Sequence, residues 1–308
     1  MNCTLCPRRC GAPRTGGNNG FCGVPESAMV CRAAPHFGEE PCISGTRGSG
    51  AVFFAGCNLR CVFCQNHAIS RGAAGEAVSV ARLREIFLSL RDQGVHNLNL
   101  VTPTHYADVI AEALSGISLG IPVVWNSSGY ESVETLRRME GLVQIYMPDL
   151  KYADPALAAR YSAAPDYPET ALAAIEEMYR QTGPFLLDGD GILRRGLLIR
   201  HLILPGAPEN TLRVIDMVED HFPAEHILFS LMSQYTPMPG LEGFPELQRR
   251  VSQSEYERCA SYLDFSDIAH GYYQSPESAT DEMIPAFDGT GVSNVEFSTS
   301  EYPVSLDK

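Results

Sequence analysis

Short apolar runs alternate with helical patterns between residues 51 and 263, and this alternation limits the fold more than any other feature of the chain. The runs cover 51–54, 97–101, 121–125, 143–147, 197–203 and 226–231. The clearest helix lies between the first two. Ser79 is placed to cap it, and Val80, Leu83, Phe87 and Leu90 recur on one face before Gly94. Further helices are expected around 107–114, 133–139, 169–181, 209–220 and 254–263. Strand and helix taken in turn imply a parallel sheet.

An α/β fold of this count can be a doubly wound sheet or a partial (β/α)6 barrel of the TIM type. The residues after each strand favour the barrel. The first strand leads into a run of cysteines, the second into Thr102-Pro103-Thr104-His105, and the third into Asn126-Ser127-Ser128-Gly129. The fourth leads to Asp149 and Lys151, the fifth carries Arg200 and His201, and the sixth ends in Ser233-Gln234-Tyr235. Polar residues after every strand converge on one point if the sheet curves. An open doubly wound sheet would gather them at one crevice. Arg200 and His201 are adjacent in a strand, so they face opposite sides, and Arg200 is expected to face the centre.

The cysteines after the first strand are Cys57, Cys61 and Cys64, in the pattern C-x3-C-x2-C. Three thiolates at this spacing can hold a 4Fe–4S cluster by three irons and leave the fourth iron open to a small molecule. Buried or disulfide-bonded cysteines are the plainer reading, but such short spacings favour metals. A second group, Cys3, Cys6, Cys10 and Cys22, opens with C-x2-C and matches a closed zinc site or an accessory iron–sulfur cluster. Cys31 and Cys42 can replace a member or stay free, and Cys259 belongs to a helix core. Residues 1–50, rich in Cys, Gly and Pro without a sustained period, read as a loop-rich, metal-stapled module. Residues 51–274 form the core domain, and 275–308 an acidic extension whose last part is expected to be disordered or to lie over the surface.

Nine of the ten cysteines precede residue 65, the start shows no apolar signal segment, and no apolar run approaches a membrane span. A reducing cytoplasm therefore fits better than export. The net charge of −14 speaks against a nucleic-acid partner. Lys151 and Lys308 are the only lysines beside 21 arginines, which hints that a compact ammonium is wanted at Lys151.

The chain resembles the radical S-adenosylmethionine (SAM) enzymes, in particular the pyruvate formate-lyase activating enzyme-like branch with a cysteine-rich N-terminal extension. The stretches that carry the resemblance are Cys3-Thr4-Leu5-Cys6-Pro7-Arg8-Arg9-Cys10, Glu39-Glu40-Pro41, Gly48-Ser49-Gly50 and the cluster loop. Asn99 to Tyr106, Asn126 to Tyr130, Pro148 to Tyr152, His201 to Gly206 and Gln234-Tyr235 complete them. It runs to about Val292.

The resemblance implies that SAM chelates the open iron and is reductively cleaved to a 5′-deoxyadenosyl radical, which abstracts hydrogen from a substrate. It implies that Phe63 approaches the adenine, and that one of Thr102, Pro103, Thr104 and His105 meets the SAM amino group where relatives carry a glycine-rich stretch. Asn126 and Ser127 fall near the SAM carboxylate. Lys151 and Arg200 are candidates for a SAM or substrate charge, and Gln234 for adenine or ribose. Relatives hold a monovalent cation at the positions of Asn126, Ser127, Met147 and Asp149, and Asn126 here replaces an Asp. A glycyl radical enzyme as target, with a flavodoxin- or ferredoxin-type electron donor, is the leading expectation. The alternatives are a radical SAM enzyme acting on a peptide or small metabolite, and a non-catalytic iron–sulfur or redox protein. No residue is singled out as a catalytic acid, base or nucleophile.

Overall fold

The computed structural model describes residues 3–15, 19–71, 74–274 and 285–293. The expected terminal tail thus lies mostly outside the described residues. The strands are β1 (Ala28–His36), β2 (Ser49–Phe54), β3 (Glu76–Val78), β4 (Leu98–Val101) and β5 (Val123–Ser127). They continue with β6 (Ile145–Pro148), β7 (Leu186–Leu187), β8 (Leu193–Leu202), β9 (Leu228–Met232) and β10 (Gly271–Tyr273). The helices are α1 (Pro41–Ser44), α2 (His67–Ser70), α3 (Val80–Asp92), α4 (Ala107–Leu114) and α5 (Val133–Arg138). After them come α6 (Pro155–Ser162), α7 (Tyr167–Thr182), α8 (Pro208–His221) and α9 (Gln253–Asp264).

The expected strands correspond to β2, β4, β5, β6, β8 and β9, which lie side by side in that order and run parallel. Every residue of β2, β4, β5, β6 and β9 is buried, so these strands are covered on both faces. Their order never reverses. This is the winding of a barrel segment, whereas a doubly wound sheet turns back at a switch point. β10 extends the parallel run beside β9; at the other edge β1 pairs antiparallel with β2, and β3 with β1. The sheet is therefore mixed, and its end strands β10 and β3 do not pair, so among the described residues it is not a closed barrel.

Local chemistry explains the helix boundaries. The Ser79 hydroxyl accepts the Arg82 amide at 3.1 Å, capping α3 as its sequence suggests. Its buried face is Leu83, Ile86, Phe87 and Leu90. α6, absent from the sequence reading, starts at Asp154, whose side chain accepts the Ala156 amide, with Pro155 in its first turn.

The N-terminal region departs from its loop-rich expectation. Residues 3–15 and 19–27 carry no helix or strand, but β1 is a nine-residue strand on β2. Its register shifts between Val30 and Arg32. Such a bulge destroys the two-residue alternation by which a strand is recognised. Cys22, Val24, Ala28 and Val30 share one hydrophobic core with Phe54, Leu59, Leu100 and Trp125.

Candidate active site

A cavity of about 240 Å³ lies where the parallel strands end, and Cys57, Cys61 and Cys64 all line it. The chain leaves β2 and turns at Gly56, whose φ is +80°. A Cβ there would stand 2.7 Å from the Cys22 carbonyl oxygen, so only glycine lets the loop lie against the N-terminal region. The Leu59 amide donates to Cys57 Sγ at 3.3 Å, and the Ser162 hydroxyl to Cys61 Sγ at 2.9 Å. Burial, then repulsion from the neighbouring cysteines, pushes the Cys57 and Cys64 thiols up. Three cysteine sulfurs lining one cavity are a donor set that suits a cationic iron cluster.

The same cavity is lined by a buried charge network. The Arg200 guanidinium donates to Asp149 Oδ1 at 2.9 Å, Glu39 Oε2 at 3.0 Å and Asn126 Oδ1 at 2.8 Å. Lys151 Nζ donates to Asp149 Oδ2 at 2.6 Å. Burial works against the Asp149 carboxylate, yet Arg200 and Lys151 together hold its pKa below the ordinary value. Burial likewise opposes the Lys151 ammonium, but Asp149 and then Cys61 hold its pKa above the usual range. Thr102, at the end of β4, adopts φ +60°, a strained conformation for a β-branched residue, and lines the same space.

Of the residues singled out from sequence, Phe63, Thr102, Asn126 and Ser127 line the cavity, as do Asp149, Lys151, Arg200 and Gln234. His201 faces the opposite side, held by the Leu150 carbonyl and the Thr211 hydroxyl. Of Thr102, Pro103, Thr104 and His105, considered together for the SAM amino group, Thr102 lines the cavity and Thr104 and His105 do not. After the turn at Thr102 the chain enters a 3-10 turn, Thr104–Tyr106, that points both side chains into the protein. The Thr104 hydroxyl donates to Glu131 at 2.7 Å, and His105 Nε2 pairs with the Ala55 carbonyl at 2.8 Å. Met147 also packs in the core, among Val124, Ile145 and Leu198. The place expected for a monovalent cation is bridged by Arg200, which binds both Asn126 and Asp149.

Glu39 and Glu40 line the cavity too, although the sequence reading gave them no role. The legible signal was two adjacent carboxylates before Pro41. Phe63 meets Tyr152, Tyr161 and Tyr235 edge-on at centroid distances of 6.5, 6.3 and 6.2 Å, an aromatic wall beside the cysteines.

In the second cysteine group, Cys6 and Cys22 are buried, Cys3 is half-buried and Cys10 exposed. Burial pushes the Cys6 thiol up to about 12 and raises that of Cys22, whose Sγ lies 3.5 Å from the Asn19 carbonyl oxygen, while at Cys10 burial is outweighed by backbone hydrogen bonds, which lower the pKa. Among the described residues, no three His, Cys, Asp or Glu side chains, in this group or in the triplet Cys57, Cys61 and Cys64, are gathered closely enough to hold a single metal ion. No helix of the described residues is long and apolar enough to cross a membrane.

A family model described as the Radical SAM superfamily matches residues 51–187. The uncharacterized protein MJ0674 of Methanocaldococcus jannaschii is 28% identical over 268 residues, which cover 84% of this chain and 73% of that protein. Among solved structures, SuiB of Streptococcus suis bound to S-adenosylmethionine is similar with a TM-score of 0.50 and 13% identity, over 75% of this chain and 51% of SuiB. SuiB bound to precursor peptide SuiA gives 0.49 at 13% identity, over 79% of this chain and 51% of SuiB. This chain thus spans about half the length of the solved structures it matches. The likeness to the SAM-bound form is one of fold.

Proposed function

We propose that this chain is a radical SAM protein, as the family match over residues 51–187 supports, and that it binds SAM beside a 4Fe–4S cluster held by Cys57, Cys61 and Cys64. The observation that carries the reading is the convergence of all three cysteines on one cavity with Asn126, Asp149, Lys151 and Arg200. When bound, the two cofactors supply reductive cleavage of SAM to methionine and a 5′-deoxyadenosyl radical that takes a hydrogen atom from the substrate.

The chain's own residues orient and insulate. Asp149 fixes the Lys151 ammonium on the cavity wall, where it can receive a carboxylate. Asn126 and Ser127 present polar groups beside it, and Gln234 with Phe63 forms the side suited to a base. The aromatic wall of Phe63, Tyr152, Tyr161 and Tyr235 keeps water from a reactive intermediate.

For the substrate, a peptide or small metabolite comes first. The cavity carries Glu39, Glu40, Asp149, Lys151 and Arg200, and a charged or polar group gives such walls something to read. A glycine backbone, the target of a glycyl radical activase, presents no side chain to them; the activase reading stands second and rests on the sequence resemblance. A flavodoxin- or ferredoxin-type protein is the electron donor we expect. We also assign a second metal, zinc or iron–sulfur, to Cys3, Cys6, Cys10 and Cys22. The C-x2-C opening of the group and the lowered pKa of Cys10, where burial is outweighed by backbone hydrogen bonds, support it.

Anaerobic purification, reduction and addition of SAM should yield 5′-deoxyadenosine, and Cys61→Ala should abolish it. No product from a preparation with full iron and sulfide would overturn the proposal. Metal analysis of the same preparation should find zinc, or iron beyond the cluster's own; neither would remove the second site. A glycine-centred radical in electron paramagnetic resonance, formed with a partner enzyme, would put the activase reading first.

A further inference from the structure

The three cysteines stand beyond the end of β2, on the loop that follows it. Glu39 sits beside the strands themselves, where its Oε1 accepts Asn99 Nδ2 at 3.0 Å and Asn126 Nδ2 at 3.1 Å. Asn99 lies within β4, three residues before Thr102, which is roughly 10 Å along a strand. The floor of the cavity is therefore the segment that carries Glu39 and Glu40, set against the middle of the sheet.

Three carboxyl groups line the cavity, Glu39, Glu40 and Asp149, with two cations, Lys151 and Arg200; burial raises the Glu40 pKa above the ordinary carboxylate value, so its charge is the least favoured of the three. His36 also lines it, but burial and then Arg32 depress its pKa, so it adds no positive charge near neutrality. Glu39 is fully engaged by Asn99, Asn126 and Arg200. Glu40 is not. Its side chain is 3% exposed, its Oε2 makes no hydrogen bond of ordinary geometry although the Ser230 hydroxyl, itself without a partner, is close by, and its nearest cation, Arg200 Nη1, is 3.7 Å away and already bonded to Glu39. A buried carboxylate oxygen without a donor is costly, and such groups call for an explanation outside packing.

We propose that this floor receives a primary ammonium carried by the substrate, with Glu40 Oε2 accepting its hydrogen bond. The substrate class is then an amine-bearing one, such as a lysine side chain of a peptide or a small metabolite with a free amino group. The word substrate rests on the preceding functional reading; the binding site itself does not. SAM also carries an ammonium, and position along the strands separates the two sources: SAM belongs beside the cysteines, the substrate at the floor.

Equilibrium binding to the full chain, with and without saturating SAM, tests this with two neutral-backbone probes. N-acetyl-lysine methylamide carries the ammonium; N-acetyl-norleucine methylamide is its apolar counterpart. The wild-type protein should prefer the lysine probe by about tenfold or more, the scale of a hydrogen bond to a charged group. Glu40→Gln should erase most of that preference while SAM binding is retained. Equal binding of both probes to the wild type overturns the proposal without recourse to any variant. So does a preference that survives in a folded Glu40→Gln protein. Loss of SAM binding in that variant with the lysine preference intact would give the ammonium site to SAM and also overturn it. Formation of 5′-deoxyadenosine in the same preparation is scored separately, so failure of the ammonium site and failure of SAM chemistry are told apart.

Discussion

Glu131 shows how one buried residue can set a pH response. Its Oε1 accepts from Thr104 and from Trp125 Nε1 at 3.2 Å, while Oε2 has no hydrogen-bond partner. Burial pushes its pKa from the ordinary 4.5 to about 7. The folded state then holds this proton more tightly than the unfolded chain, so stability falls as pH rises through that window. The full effect is about 3 kcal/mol above pH 7. His105 and His201 work the other way: burial depresses both to about 4, so their stabilisation is present above 6.5 and lost as pH falls through 4. Denaturant unfolding of wild type and Glu131→Gln isolates the glutamate. The variant should gain on the wild type between pH 5 and pH 8, and a constant difference would refute the assignment. At this scale the sequence was partly legible. Strand alternation was enough to turn Arg200 inward and His201 outward, because it is a property of any strand. Which of Thr102 to His105 lines the cavity was not legible, because the left-handed turn at Thr102 redirects the chain beyond it, and no composition rule anticipates a positive φ at a threonine.

Among the elements, the parallel strands and the longer helices were readable because burial writes a period into their sequences. β1 was missed at its bulge, and α6 was missed although Asp154 and Pro155 advertise its start. The cluster loop belongs to this scale as well, since a single backbone angle at Gly56 lets it approach Cys22. Gly56→Ala should cost about 2 kcal/mol or more from the unfavourable φ and the close carbonyl. It should also lower the iron retained after gel filtration, because the loop that presents Cys57 must shift. Wild-type stability and iron content in this variant would mean that the loop is not held as described.

The whole molecule joins its N-terminal segment to the sheet more closely than a tethered module would. Arg8 illustrates the join: its guanidinium donates to the carbonyls of Asn58, Ala163 and Ser162, linking residues near the chain start to the cluster loop and to the end of α6. Replacing it, Arg8→Ala, should destabilise the fold by about 2 kcal/mol. Amide exchange should quicken most in residues 57–64; uniform exchange rates would show that the segment does not brace the loop. Such long-range joins could not be read from sequence, where these segments look independent. The bridge made by Arg200 reaches beyond the protein itself. A dissolved ion between Asn126 and Asp149 would come and go with the salt outside, and would compete with every other ion of similar size. A guanidinium anchored to a strand does neither. The positive charge at that point is inherited with the chain, and the surrounding medium has no vote in whether it is present.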